Sequence, residues 1–383
     1  MAIENFIAYN PTKLHFGKNV VERLGETVKQ YGNRILLVYG KGSVKKYGYY
    51  DQVIKQLKDS GLEIYEYSGI RPNPIVDDVR KAVALGKENN IDVIVALGGG
   101  SVIDSAKIIG LSIANDIDAW QFMTWQAQPT KTIPLVAVLT VAATGTEMNG
   151  AAVLQNPETA QKLGYVNALN YPKDSFLDPQ FTVSVPKEYT AYGIVDLIAH
   201  ALEAFFGAGE PAVIDHITLS IINDAMEQAP LLLEDLSNYD LRANIMLDAT
   251  LALNGLTTYG KINGDWGVHG LGHELSFLFD TAHGATLSIV YPAWLKLQKE
   301  RIPERIKKLT QSLFGTDDID NGIALLEHFF TSIGSPVRLS HAGIDDDNKE
   351  IIIKKMNDNK VSGMHYALDD NDRAFLVEKM MEG

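Results

Sequence analysis

Two apolar runs, residues 34–39 and 91–97, each end in a glycine turn, Gly40-Lys41-Gly42-Ser43 and Gly98-Gly99-Gly100-Ser101, and each turn leads into a segment of helical periodicity. Runs without polar alternation are strands covered on both faces, which restricts the fold to a sheet between layers of helix. A helix to about Ser60 closed by Gly61, a short strand at 62–67 and a loop at Pro72-Asn73-Pro74 continue the pattern. It proceeds through a helix at 76–89, another at 102–114, a strand at 132–140 and shorter β-like pieces over 165–177. Strand and helix alternating in this way predict a parallel sheet.

After Pro186 the pattern changes. Long helical periodicities such as 212–228, 241–256 and 319–333 follow, so the second part is expected to be all-helical. A chain of 383 residues exceeds one ordinary core. The expected division is an α/β domain over 1–186 and a helical, metal-binding domain over 187–383, joined by a short hinge, with the site between them.

A net charge of −14 argues against nucleic acid or an anionic membrane as partner, since both need a basic face. No run approaches the roughly 18 apolar residues of a membrane span, and the first residues lack the pattern of a secretory signal. Cysteine is absent, so neither disulfides nor thiolate ligands are available. The expected location is the cytoplasm.

The chemistry is carried by histidine, carboxylate and glycine. Asp196 and His200 stand four apart in an apolar run, on one face of a predicted helix. A carboxylate in such surroundings needs a cation, a metal or a proton. Three of the nine histidines, His269, His273 and His283, fall within fifteen residues further on. One carboxylate with imidazoles from separate helices suits a divalent ion such as Fe²⁺ or Zn²⁺ with a position left open for substrate. Spacing alone leaves open which two of the three histidines join Asp196 and His200, and it permits a clamp of His269 and His273. The turn Gly98-Gly99-Gly100-Ser101 follows a strand and opens a helix, so its N–H groups can cradle a pyrophosphate. Such turns also use glycine simply where φ is positive. The second turn, Gly40-Lys41-Gly42-Ser43, favours a nucleotide crevice, although neither turn is a Gly-x-Gly-x-x-Gly fingerprint.

In order and spacing, Gly98-Gly99-Gly100-Ser101 with Asp104 and Lys107, residues 140–149, Asp196-x-x-x-His200-Ala-x-Glu203, His269-Gly-x-x-His273 and His283-Gly284 resemble the iron-containing, or group III, alcohol dehydrogenases. Residues 39–46 and Asp265-Trp266-Gly-Val-His269 resemble the branch of butanol dehydrogenases and broad-range aldehyde reductases. The resemblance implies an α/β N-terminal dinucleotide-binding domain plus an all-α C-terminal domain, a dehydroquinate synthase-like architecture, with the cofactor in the cleft. It assigns the metal to Asp196, His200, His269 and His283, with His273 near metal and nicotinamide as a non-ligand and candidate proton relay. It places cofactor contacts at Gly40, Ser43, Asn73, Gly98, Gly99, Gly100, Ser101, Asp104, Thr140, Thr144 and Lys162, with Leu177 near the nicotinamide end. Lys41 and Gly42 complete the first turn.

The activity so implied interconverts small primary alcohols, such as butanol, and aldehydes by hydride transfer, in a homodimer or higher homo-oligomer. NADP(H) is expected over NAD(H), because the turn at Gly40 lacks the acid that would repel a 2′-phosphate, while Lys41, Ser43 and Lys45 can bind one. Tyr39, Trp120, Phe122, Trp125, Tyr259 and Trp266 are candidate pocket walls, each also plausible as ordinary core. The competing readings are a polyol dehydrogenase or a dehydroquinate-synthase-like lyase on the same fold, a metallohydrolase, and a non-catalytic nucleotide-binding protein.

Overall fold

The computed structural model describes residues 3–382. Their contacts divide the chain into an α/β unit, Tyr9–Val185 with Ser237–Met246, and a helical unit made of residues 3–8, 186–236 and 247–382.

The α/β unit runs β1 (Lys13–Phe16), α1 (Leu24–Lys29), β2 (Arg34–Gly40), α2 (Ser43–Lys46), α3 (Tyr49–Asp59), β3 (Glu63–Ile70), α4 (Val76–Glu88), β4 (Val93–Gly98), α5 (Gly100–Asn115), α6 (Ala119–Met123), β5 (Leu135–Leu139), β6 (Ala151–Asn156), β7 (Gln161–Val166) and β8 (Asp174–Leu177). Six strands form one sheet in the order β1-β8-β5-β4-β2-β3, and every pair is parallel. Leu36, Val38, Ile94 and Ala96 join one apolar cluster, while Ile35, Leu37, Val93, Val95 and Leu97 join a second. The side chains alternate in direction as the pleat requires, but both directions are buried, which is why the runs show no polar alternation.

Three features differ from the sequence expectation. The helix expected up to Ser60 is broken at Gly48, whose φ of 79° only glycine adopts without strain, into α2 and α3. Helix α5 begins at Gly100, inside the glycine turn. A two-stranded antiparallel hairpin, β6–β7, is present and was not foreseen, because its strands are short and half-exposed.

The helical unit contains α7 (Lys187–Phe205), α8 (Ala212–Glu234), the second part of α9 (Tyr239–Leu253), α10 (Gly267–Phe279), α11 (His283–Gln298), α12 (Pro303–Phe314), α13 (Ile319–Ser332), α14 (Lys349–Asp358) and α15 (Asp370–Met381). Among the described residues no helix is long and apolar enough to cross a membrane.

Helix α7 is buried over nearly its whole length, so its C-terminal carbonyls need partners inside the protein. The Phe205 carbonyl accepts from Lys261 Nζ at 3.2 Å and from Arg305 Nη2. Both cations also bind the fully buried Asp215 of α8. Lys261 Nζ lies 2.9 Å from Oδ1, Arg305 Nη1 2.6 Å from Oδ2, and Lys308 Nζ adds a contact of 2.6 Å. Burial alone would raise the Asp215 pKa, but Arg305, Lys308 and Lys261 outweigh it and hold the carboxyl well below its usual range. Asp215→Ala leaves buried cations uncompensated and is expected to lose about 3–5 kcal/mol at pH 7 in urea unfolding. Because the folded-state pKa is depressed, the wild-type advantage is present above about pH 4, and the gap between variant and wild type should narrow as pH falls below that.

Candidate functional site

In the helical unit, α7 carries Asp196, His200 and Glu203 at i, i+4 and i+7, one stripe of a helix otherwise made of Ile, Val, Leu, Ala and Phe. The N-terminal half of α10 supplies His269, and His283 is the first residue of α11. Asp196 Oδ1 lies 3.7 Å from His200 Nδ1, 3.8 Å from His269 Nε2 and 3.7 Å from His283 Nε2. These separations are too long for hydrogen bonds. They suit the edges of a coordination shell whose ligands stand about 2.1 Å from a shared ion. Asp196 Oδ1, His200 Nδ1 and His269 Nε2 are buried, make no hydrogen bond and lie within 4.8 Å of one another. This donor set, one carboxylate oxygen and three imidazole nitrogens, fits a divalent transition metal. His283, 24% exposed at its side chain, is the most open of the four and marks the side from which the cluster is reached.

The two most buried imidazoles are pushed in opposite directions. Burial lowers His200 to about 4, with Asp196 only partly opposing it. His269 is raised to about 9, because Asp196 and Glu203 together outweigh the burial that disfavours its charge. His273 lies one turn beyond His269, with its ring 5.1 Å from that of His283.

Sequence reasoning missed what holds this cluster. Glu203 Oε1 accepts from the His269 backbone N at 3.0 Å and from its Nδ1 at 2.9 Å, while Oε2 accepts from Trp266 N at 2.5 Å. Asp265, fully buried, accepts from His365 N at 2.8 Å and Tyr366 N at 2.9 Å and so fixes the chain just ahead of α10. A Cβ on Gly363 would stand 2.2 Å from Asp265 Oδ2, so only glycine fits there. The i+7 spacing of Glu203 was a readable signal; the role of Gly363 was not.

In the α/β unit, the residues expected at a nucleotide gather around the C-terminal ends of two neighbouring strands. The chain leaves β2 for β3 on one side and returns to place β4 on the other, so β2 and β4 flank a topological switch point, and both glycine turns lie there. Neither turn holds a glycine at left-handed φ. The requirement at 98–100 is instead close approach. A Cβ would meet Val102 at 2.5 Å from Gly98, Val141 at 3.1 Å from Gly99 and Thr144 at 2.8 Å from Gly100. Helix α5 has no side-chain cap at its N-terminus. Asp104 accepts from Thr146 Oγ1 at 2.5 Å and from Val153 N at 2.9 Å. The buried Lys107, lowered to about 8 by burial, donates to Thr146 Oγ1, Asn149 Oδ1 and the Ala151 carbonyl. These two side chains tie the loop after β5 to α5. Lys162 Nζ donates to Asn73 Oδ1 at 2.9 Å, which joins two expected contact residues 89 positions apart. Thr140 is buried just past β5, and Ser101 Oγ donates to the Pro72 carbonyl. The Leu177 side chain is fully buried in the apolar core. Lys41 and Ser43 are exposed, and Gly40 and Gly42 have no atom close enough to exclude a side chain.

Residues 11–179 match the family described as iron-containing alcohol dehydrogenase, and residues 190–373 match the C-terminal region of the Fe-containing alcohol dehydrogenase family. The chain belongs to the iron-containing alcohol dehydrogenase family. It is 42% identical to a probable NADH-dependent butanol dehydrogenase 1 of Bacillus subtilis, with 97% of this chain and 98% of that one covered. It is 36% identical to the NADPH-dependent aldehyde reductase YqhD of Escherichia coli, over 92% of this chain and 93% of that one. The crystal structure of an NADH-dependent butanol dehydrogenase A from Thermotoga maritima superposes with a TM-score of 0.96 at 36% identity, and both chains are covered completely. The parallel sheet followed by helices is thus the dehydroquinate synthase-like architecture of this family.

As an oxidoreductase of that family, the chain places one of its six candidate aromatic walls beside the histidine cluster. The Trp266 ring lies 5.4 Å from that of His269 and 6.2 Å from that of His200. Tyr39, Trp120 and Phe122 are core residues, Trp125 packs on Tyr165 and Tyr259 on Phe6. The position of His283 depends on its neighbour, since a Cβ on Gly284 would stand 2.0 Å from the Tyr192 carbonyl oxygen of α7. Gly284→Ala is expected to destabilise by about 1–3 kcal/mol in urea unfolding, as overpacking does, whereas Gly164→Ala in β7, with no atom within 4 Å of the added carbon, should change stability far less.

Proposed function

We propose that this chain is a metal- and NAD(P)-dependent alcohol dehydrogenase and aldehyde reductase that interconverts small primary alcohols, butanol among them, and their aldehydes. The observation that carries this reading is the convergence of three imidazole nitrogens on Asp196 Oδ1, at 3.7–3.8 Å, in a chain of this family. Asp196, His200, His269 and His283 would hold one divalent ion, Fe²⁺ or Zn²⁺. When bound, the ion supplies Lewis acidity, which makes an alcohol hydroxyl more acidic and an aldehyde carbonyl more electrophilic. Nicotinamide supplies the hydride acceptor or donor. Alcohol oxidation releases one hydride and one proton, and the proton has to leave through the protein or solvent. His273, partly buried one helical turn from His269, is the group proposed to carry it. Trp266 walls the site beside His200 and His269. A cytoplasmic homo-oligomer completes the reading, supported by the exposed apolar side chains of Ile3, Phe6 and Ile7.

The test is elemental analysis together with butanal reduction after anaerobic loading with Fe²⁺ or Zn²⁺. His269→Ala and His283→Ala are expected to lose most bound metal and nearly all turnover. His273→Ala should keep its metal while turnover falls by about 10²–10⁴. Full metal content and wild-type turnover in His269→Ala would sink the ligand assignment.

The cofactor preference proposed is NADP(H) over NAD(H). No acid stands in Gly40-Lys41-Gly42-Ser43, and Lys41 and Ser43 are exposed there. Lys45 is placed differently, with Nζ 5.0 Å from the Tyr39 ring centroid and 4.4 Å from that of Tyr50. The competing reading, NADH, draws on the names of several relatives. NADPH is expected to give the higher kcat/KM on one aldehyde, and Gly40→Asp should move the ratio toward NADH by placing a carboxylate where the 2′-phosphate would lie. A wild-type preference for NADH of tenfold or more would exclude the proposal.

A further inference from the structure

We infer that Glu203 is the positioning residue of the metal site, fixing the tautomer of His269 so that Nδ1 carries the proton and Nε2 presents its lone pair to the ion. The inference rests on the metal reading above and extends it to a residue outside the ligand set. An ionised carboxylate only accepts hydrogen bonds. Glu203 Oε1 lies 2.9 Å from His269 Nδ1, so that nitrogen must be the donor. In a neutral imidazole the other nitrogen is then bare, and His269 Nε2 is the atom 3.8 Å from Asp196 Oδ1 with no hydrogen-bond partner of its own. The opposite tautomer would put two lone pairs face to face at Nδ1 and a proton where the ion belongs.

Glu203 also fixes where the ring stands. The same oxygen accepts from His269 N at 3.0 Å, and the second oxygen accepts from Trp266 N, the residue just before α10. The Glu203 backbone carbonyl accepts from Asp265 N at 3.1 Å. The first turn of α10 is therefore capped by the side chain that orients the imidazole, and Trp266 is held at φ 64°, a left-handed conformation that a bulky residue adopts only when its surroundings impose it. Glu203 is almost fully buried, and among the described residues its one ion-pair partner is His269. Among the described residues no Lys or Arg pairs with it, so it acts through the imidazole, as carboxylates behind metal-bound histidines do.

Glu203→Gln tests this without a change of shape. A carboxamide carries one acceptor and one donor, so it either loses the Trp266 bond or turns its NH₂ toward His269 and stabilises the wrong tautomer. By chelator competition the variant is expected to bind Zn²⁺ about 10–100-fold more weakly than wild type, and its Co²⁺ form should show a shifted visible absorption, while the metal-free thermal midpoint stays within a few degrees. A purely structural role would lower the midpoint and leave the affinity of the folded fraction unchanged. Equal Zn²⁺ affinity in a folded Glu203→Gln protein would overturn the inference. If the variant does not fold, ¹⁵N NMR of histidine-labelled wild type loaded with Zn²⁺ decides the matter. The expected result is a protonated Nδ1 and a ligated Nε2 at His269, and the reverse assignment would overturn the inference. Failure of wild type to bind either ion would instead reject the metal reading itself.

Discussion

A carboxylate buried in an apolar helix has to be compensated, and the helical unit is organised around that demand at Asp196. Helix α7 cannot move it to solvent without exposing the Ile, Val and Leu side chains that surround it on every face. The groups that gather around it include imidazoles on two other helices, whose nitrogens stand at the distances of a coordination shell rather than of hydrogen bonds. Each imidazole then needs an anchor. Glu203 provides it for His269, and the bare contact between Gly284 and the Tyr192 carbonyl sets the position of His283. At the C-terminal end of α7, Lys261 and Arg305 donate to the buried Phe205 carbonyl, and Asp215 accepts from both cations.

The α/β unit meets a different constraint, the close packing of a glycine turn against the loop after β5. The glycines of Gly98-Gly99-Gly100-Ser101 let the loop after β5 come close enough that Val141 and Thr144 stand where side chains would be. Asp104 and the buried Lys107 then tie that loop to α5 through Thr146, Asn149 and the neighbouring main chain. A lysine fully removed from water needs all of its donors used, and here they are spent on one loop. The rigidity of the turn thus comes from polar contacts behind it, and the side in front keeps the uncapped N-terminus of α5.

Much of this was legible in the chain. Unbroken apolar runs ending in glycine can only be doubly covered strands leading into helices, and the period of the hydrophobic pattern changes after Pro186, so the two architectures follow from local rules. Spacing of four along a helix brought Asp196 and His200 together, and the density of histidine over 269–283 marked the partner segment. The absence of cysteine also excluded disulfides outright.

Tertiary structure decided what depends on distance between segments far apart in sequence. The distances from Asp196 to His269 and His283 depend on how α10 and α11 pack against α7, which spacing along the chain does not give. The glycines at 98–100 do not adopt positive φ, the alternative weighed against a phosphate cradle; Gly98 is closely approached by Val102 of α5, and Gly99 and Gly100 by Val141 and Thr144 of the loop after β5, which local sequence does not show. Placement of both glycine turns at one switch point follows from strand order, which no local pattern encodes. Local sequence sets which conformations each segment prefers; hydrogen bonds such as Glu203 to His269, spanning 66 residues, exist only once the chain has closed those separations.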